Sequence, residues 1–331
     1  MMARRFAALA LVIFAFCAPT RAERARIGVL QTAGAGPMYI ALAKGYFARE
    51  GLQAEIVPFV TAQPMAVSIA TGELDFGATA LGAPFYNLAS QGLLRIIGAQ
   101  GREVPNFPNN GLVATVAAWE NGLRDFKDVK GRVVAVAAKG SGPHYCLGLI
   151  ADHYGFSTDD VDMQFLNGSP NMIAALVSGR VEAAIMPSAA ALAAVRDAPG
   201  KLIGWIGDMQ AWQLGGAFTS AKHADEHQDY VDRFLRAYKS GVHDYYDAFI
   251  TPEGKRQDGP TADAMLAIMS KGIDQPVELL RQAITYTDRD VRLDGKDIYR
   301  QVAWHQKHGL IEHEVDVDKL LDKRYAQFLP E

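Results

Sequence analysis

One feature constrains this chain more than any other: a pattern of turn residues that occurs twice. Gly34-Ala35-Gly36-Pro37-Met38-Tyr39 returns as Gly140-Ser141-Gly142-Pro143-His144-Tyr145, 106 positions later. Pro64 recurs at the same offset as Pro170, and Gly72 recurs almost in step as Gly179. Matched punctuation in one order marks a structural unit used twice. In the first unit Arg26–Leu30 reads as a strand, Met38–Lys44 as a helix, Gln53–Phe59 as a strand, Pro64–Thr71 as a helix and Leu74–Ala78 as a strand. The second repeats the alternation over Arg132–Ala137, Tyr145–His153, Asp162–Leu166, Asn171–Ser178 and Val181–Met186.

Strands that alternate with helices require right-handed crossovers and a parallel sheet. Pro37 and Pro143 suit a helix's first turn, where a missing N–H costs nothing. Gly72 and Gly179 suit the left-handed residue that follows a helix. Each unit is therefore expected to be an open α/β sheet with a Gly-rich loop and a helix N-terminus beyond the carboxyl ends of its strands. Ligands of such sheets bind there.

Between the units, Val104–Asn110 reads as a Pro/Asn-rich loop and Gly111–Ala118 as a strand-like crossing. A second crossing returns through Gly215–Thr219. Beyond His223 the pattern turns helical, with Val231, Phe234, Leu235, Tyr238, Val242, Tyr245 and Phe249 on one stripe. Shorter helices follow, one carrying Ile298, Val302 and His305, and the tail is expected to cover the first sheet. The expected domains are 23–112 with 217–331 as one lobe and 113–216 as the other, joined by a two-crossing hinge that lets them close.

Residues 1–22 read as a secretory signal peptide: Arg4-Arg5, an uncharged apolar run from Phe6 to Ala18, then a small-residue stop at Ala22. The run is too short for a stable span, which needs about 20 apolar residues. Of the two cysteines only Cys146 lies beyond this segment, so an internal disulfide is excluded and the fold rests on its core. A net charge of −4 with no block of like charge argues against nucleic-acid and acidic-membrane partners.

Ile40-Ala41-Leu42-Ala43-Lys44-Gly45-Tyr46-Phe47 with Glu50-Gly51-Leu52, Thr71-Gly72-Glu73-Leu74-Asp75-Phe76-Gly77, and Phe126-Lys127-Asp128-Val129-Lys130-Gly131-Arg132-Val133-Val134-Ala135-Val136 carry a family resemblance. They resemble the nitrate/sulfonate/taurine (and thiamine-pyrimidine-precursor-like) solute-binding proteins of ABC importers, over roughly residues 26–250. The resemblance implies a two-lobed type II periplasmic binding protein fold. It also implies a periplasmic location and delivery of a small molecule to a membrane permease and its ATPase. A monomer without cofactor or metal is expected. The competing readings are an enzyme on the same fold, of the menaquinone-pathway dehydratase or thiamine-pyrimidine synthase kind, and an extracytoplasmic sensor module.

The paired Gly-Pro loops supply the first candidate ligand residues: Thr32, Ala33, Gly36 and Tyr39 in one, Ser141, Gly142, His144 and Tyr145 in the other. Backbone N–H groups at a helix start favour an anion. Gln63, Thr79, Ala80, Leu81, Asn167, Pro187 and Ser188 follow the remaining strands, and Trp119 and Trp212 could stack on a planar ligand. With no arginine in the paired loops, the expected ligand is a small, partly apolar or aromatic anion. Catalytic motifs fail on inspection. Pro37 and Pro143 interrupt any dinucleotide fingerprint, and Pro143 stands where a nucleophile elbow around Ser141 needs glycine. His223 and His227 have helical spacing but no obvious third metal ligand.

Overall fold

The two repeats fold as two separate five-stranded sheets of the same design. A computed structural model describes residues 22–330; apart from Ala22, the expected signal peptide lies outside the described residues. The strands are β1 (Glu23–Leu30), β2 (Leu52–Phe59), β3 (Phe76–Ala80), β4 (Leu94–Glu103), β5 (Asn110–Thr115), β6 (Val133–Val136), β7 (Asp162–Phe165), β8 (Ala183–Pro187), β9 (Gly200–Trp205) and β10 (Trp212–Ser220). Their order is β2-β1-β3-β10-β4 in one sheet and β7-β6-β8-β5-β9 in the other. In each, the first three are parallel, with Ile27 beside Ile56 and Phe76, and Val134 beside Met163 and Ala183. The fourth strand of each is antiparallel to both neighbours. It is also the strand that has just crossed from the other sheet, so the expected fold class and its two-crossing hinge are what the chain adopts.

The first crossing differs from expectation in one respect. The strand stops at Thr115, whose hydroxyl accepts the N–H of Ala118 at 3.1 Å and starts a short helix, Val116–Glu120. A threonine oxygen at this position satisfies a helix N–H that an extended continuation would leave open. β10 is longer than its Gly-rich centre suggested, and all nine of its residues are buried.

The helix Gln228–Phe249 buries Val231, Phe234, Tyr238 and Val242 of its predicted stripe in the first sheet's core, where Phe234 stacks on Phe76 with centroids 3.9 Å apart, while Tyr245 and Phe249 pack into a separate cluster with the later tail. Gly241 lets this helix approach Gly36–Ala43 closely, because a Cβ there would overlap the carbonyl of Pro37. The later tail does more than cover the first sheet. Ile298 and Val302 of the helix Gly295–Lys307 join the first core, whereas Trp304 joins the second. Its indole lies on the helix Gly142–Tyr154, so close to Gly148 that a Cβ there would overlap it. An aromatic residue facing away from the Ile298–Val302 stripe cannot be buried on the first sheet, and the second supplies the cover. Among the described residues no helix is long and apolar enough to cross a membrane.

Candidate functional site

The carboxyl ends of β1–β3 and of β6–β8 face each other, and their loops touch. The N–H of Ala83, at the start of the helix Ala83–Ser90, donates to the carbonyl of Gly140 at 2.8 Å. A helix start has unpaired N–H groups, and here the other lobe caps one of them. Gly82 makes the approach possible, since a Cβ on it would stand 2.6 Å from that carbonyl oxygen. At the same end the N–H of Ser188 donates to the carbonyl of Asn109 at 2.7 Å, extending the β5–β8 pairing by one position.

On the first lobe, Thr32 is half-buried and Ala33 and Gly36 are buried. Gly36 packs on Met269, where a Cβ would come within 2.8 Å of the methyl carbon, so this helix start is covered by the tail. Tyr39 is turned to the same tail helix, over Gly272, and burial raises its phenol pKa. Leu81 is buried and donates its N–H to Leu214 at 3.3 Å, Ala80 is half-buried, and Gln63 is exposed on the rim. Thr79 is only 2 % exposed, and its hydroxyl has no partner.

On the second lobe, Ser141 is half-buried and Gly142 is buried beside Trp212. His144 is buried, and its Nδ1 accepts the N–H of Gly140 at 2.9 Å, which leaves the ring hydrogen on Nε2. Its ring sits edge-on to Phe165 and Trp304. Burial pushes its pKa down to about 4, so the imidazole is neutral at pH 7. His144 thus shapes the Gly140 loop from beneath. Tyr145 is buried edge-on against both Trp212 and Trp304. Asn167 is exposed, with the left-handed φ of 50°, and lines a shallow groove of about 360 Å³ with Phe165, Asn171 and Arg180. Pro187 is half-buried and Ser188 buried at the end of β8.

The fold separates the two tryptophans singled out from the sequence. Trp212 is fully buried where β10 begins and donates Nε1–H to the Glu103 carboxylate at 2.9 Å. Trp119 lies at the opposite pole: β5 runs antiparallel to β8, so the chain beyond Thr115 leaves the ligand-loop end. Arg124 stacks over Trp119 there, 5.5 Å from the ring centroid.

Sequence reasoning passed over Gln100 and Glu103 in β4, Ala83, and Trp304. Glu103 is buried and accepts four N–H groups: backbone and side chain of Asn110 at 2.8 Å each, Gly207 at 3.2 Å and Trp212. Burial pushes its pKa up to about 7 against the pull of those donors. The available signal was the polar Gln100 and Glu103 within a strand buried along nearly all its length. Cys146 is buried as well, and burial pushes its thiol up, away from nucleophilic chemistry.

A model of the NMT1/THI5-like family matches residues 33–248. The 4-amino-5-hydroxymethyl-2-methylpyrimidine phosphate synthase of Schizosaccharomyces pombe is 24% identical over 152 residues, which span 45% of this chain and 40% of that enzyme. The periplasmic aliphatic sulphonate binding protein SsuA from Escherichia coli superposes with a TM-score of 0.72 at 16% identity, covering 93% of this chain and 94% of that one. The periplasmic nitrate-binding protein NrtA from Synechocystis PCC 6803 does so with 0.70 at 14% identity, covering 91% and 86%.

Proposed function

The chain belongs to the NMT1/THI5-like family, and from that premise we propose that it captures a small solute between its lobes, outside the cytoplasm, and passes it to the permease and ATPase of an ABC importer. It acts as a monomer and does no covalent chemistry on its cargo. The observation that carries this reading is the Ala83–Gly140 hydrogen bond. It joins two sets of strand ends that, among the described residues, are linked through a pair of crossings, which is the arrangement of a clamp. The likeness to the sulphonate- and nitrate-binding proteins supports a small anionic cargo and a periplasmic location. Candidate contacts are Thr32, Thr79, Ala80 and Leu81 from one side and Ser141, Gly142, Pro187 and Ser188 from the other.

A thermal-shift screen of the purified protein against nitrate, alkanesulfonates and aromatic carboxylates, each beside a neutral analogue, tests the reading. A ligand that binds only the folded state adds about 2.7 kcal/mol at a hundredfold excess over its dissociation constant. A shift with one anionic class and none with its neutral analogues is the expected result. Equal shifts with the neutral analogues would remove the anionic part. Conversion of the added compound over hours would overturn the non-enzymatic reading.

A further inference from the structure

The polar atoms left unpaired at the end of the first sheet bear on the kind of cargo. Gln100 is 6 % exposed and Thr79 is 2 % exposed. Neither the amide oxygen of Gln100 nor the hydroxyl of Thr79 has a hydrogen-bond partner. The orientation of the amide is fixed by its other half, because Nε2 donates to the carbonyl of Gly34 at 2.8 Å and a carbonyl can only accept. The unpaired Oε1 is therefore an acceptor.

The Gln100 amide lies where the Gly34 loop meets the ends of β3 and β10. A Cβ on Gly34 would lie 2.7 Å from the Gln100 amide nitrogen and 3.8 Å from the hydroxyl oxygen of Thr32. A Cβ on Gly215 would overlap both the Gln100 amide oxygen and the Thr79 carbonyl. Two glycines thus keep side chains away from a small polar cradle at the carboxyl ends of β1 and β3. A buried amide oxygen without a donor is costly and uncommon.

Resting on the reading that solute is captured between the lobes, we propose that the cargo carries a hydrogen-bond donor, an amino, amide or hydroxyl group, which it presents to Oε1 of Gln100. An anionic head alone cannot satisfy that oxygen. The site therefore selects an amino- or hydroxy-substituted organic acid over its unsubstituted relative. The selection follows from the asymmetry of polar sites: an analogue that lacks the donor leaves the acceptor dry and unpaired.

Calorimetric titration with two matched pairs tests this, taurine against 1-propanesulfonate and 4-aminobenzoate against 4-methylbenzoate. Each pair exchanges an amino group for a methyl of similar size. The amino member of at least one pair is expected to bind about tenfold or more tighter than its partner. Gln100→Met, which keeps length and loses the acceptor, reduces that ratio to about twofold or less, while Gln100→Glu, held protonated so that its O–H takes over the donation to the Gly34 carbonyl and its C=O stays an acceptor, preserves it. Circular dichroism melting confirms that both variants fold. Methyl members that bind as well as amino members, or a preference that survives Gln100→Met, would overturn the donor requirement and leave solute capture standing. Binding by no member of either pair, to any of the three proteins, counts against both.

Discussion

Trp212 and Glu103 tie the hinge together: the indole N–H at the start of β10 meets the carboxylate at the end of β4 across 2.9 Å, and both residues are fully buried. The same carboxylate accepts from the backbone and the side-chain amide of Asn110 at the start of β5. One side chain thus holds the strand that enters the second lobe and the strand that returns from it. Under the capture proposed above, the lobes would close about this polar knot and bring the Gly140 and Ala83 loops together.

Glu103→Gln tests the knot. The carboxamide places an NH2 group where two donors already converge, and the variant loses about 1–3 kcal/mol at pH 5. The pH dependence has a definite sign. The folded pKa of about 7 lies above the ordinary 4.5, so the folded state holds the proton more firmly than the unfolded chain. That contribution is fully present below about pH 4.5 and is lost as pH rises toward 7. Urea denaturation from pH 5 to 8 therefore shows the gap between wild type and Glu103→Gln narrowing with rising pH; a widening gap would refute the assignment.

Gly148→Ala tests the seat of the tail on the second lobe. The new methyl overlaps the Trp304 indole, and neither the helix backbone nor the packed ring can yield cheaply. Overpacking of this kind costs about 1–3 kcal/mol. Trp304→Ala leaves a cavity instead, at about 3–5 kcal/mol. Since both changes break one contact, Gly148→Ala adds little on a Trp304→Ala background. Additive losses in a double-mutant cycle would show that the tail does not depend on this contact.

The repeated Gly-Pro loops made both sheets legible, because proline and glycine act on the local backbone and their spacing survives in the sequence. The crossing strands were legible for the same reason, through Gly111 and Gly215-Gly216. Contacts made at long range were not. Nothing near Trp304 states that it crosses to Gly148, and nothing near Tyr39 or Gly36 states that the tail covers them. Trp119 and Trp212 read alike as aromatics beside a hinge, and only the direction of β5 sends Trp119 to the far pole. Gln100 was hidden because a polar residue in a buried strand becomes visible only when its unpaired atom is located.

The imidazoles under the Gly140 loop make the fold acid-sensitive. Burial depresses His305 to about 3 and His144 to about 4, and neighbouring imidazoles, His308 among them, push the same way. Both folded pKa values lie below the ordinary 6.5, so the unfolded chain binds protons that the folded one refuses. Stability is therefore lost as pH falls below about 6.5, at up to about 1.4 kcal/mol per pH unit for each group. The trend opposes that of Glu103 between pH 4.5 and 6.5, and single variants separate the two. His305→Leu flattens the melting temperature between pH 7 and 5 relative to wild type; an unchanged slope would place the acid sensitivity elsewhere.

Gly82→Ala separates closure from folding. The φ of Gly82 is −166°, extended backbone that alanine adopts without strain, so neither lobe is disturbed internally. What the methyl meets is the Gly140 carbonyl of the opposite lobe, 2.6 Å from its position. The lobes cannot then approach far enough for Ala83 to donate to that carbonyl. Small-angle scattering at saturating solute is expected to give wild type a smaller radius of gyration than Gly82→Ala. The denaturation midpoint without solute changes by less than about 1 kcal/mol equivalent. Affinity falls because the competent closed state is less populated, by the factor through which that population drops. If Gly82→Ala compacts like wild type and binds as tightly, the Ala83–Gly140 contact is incidental to capture and the clamp must close on other residues.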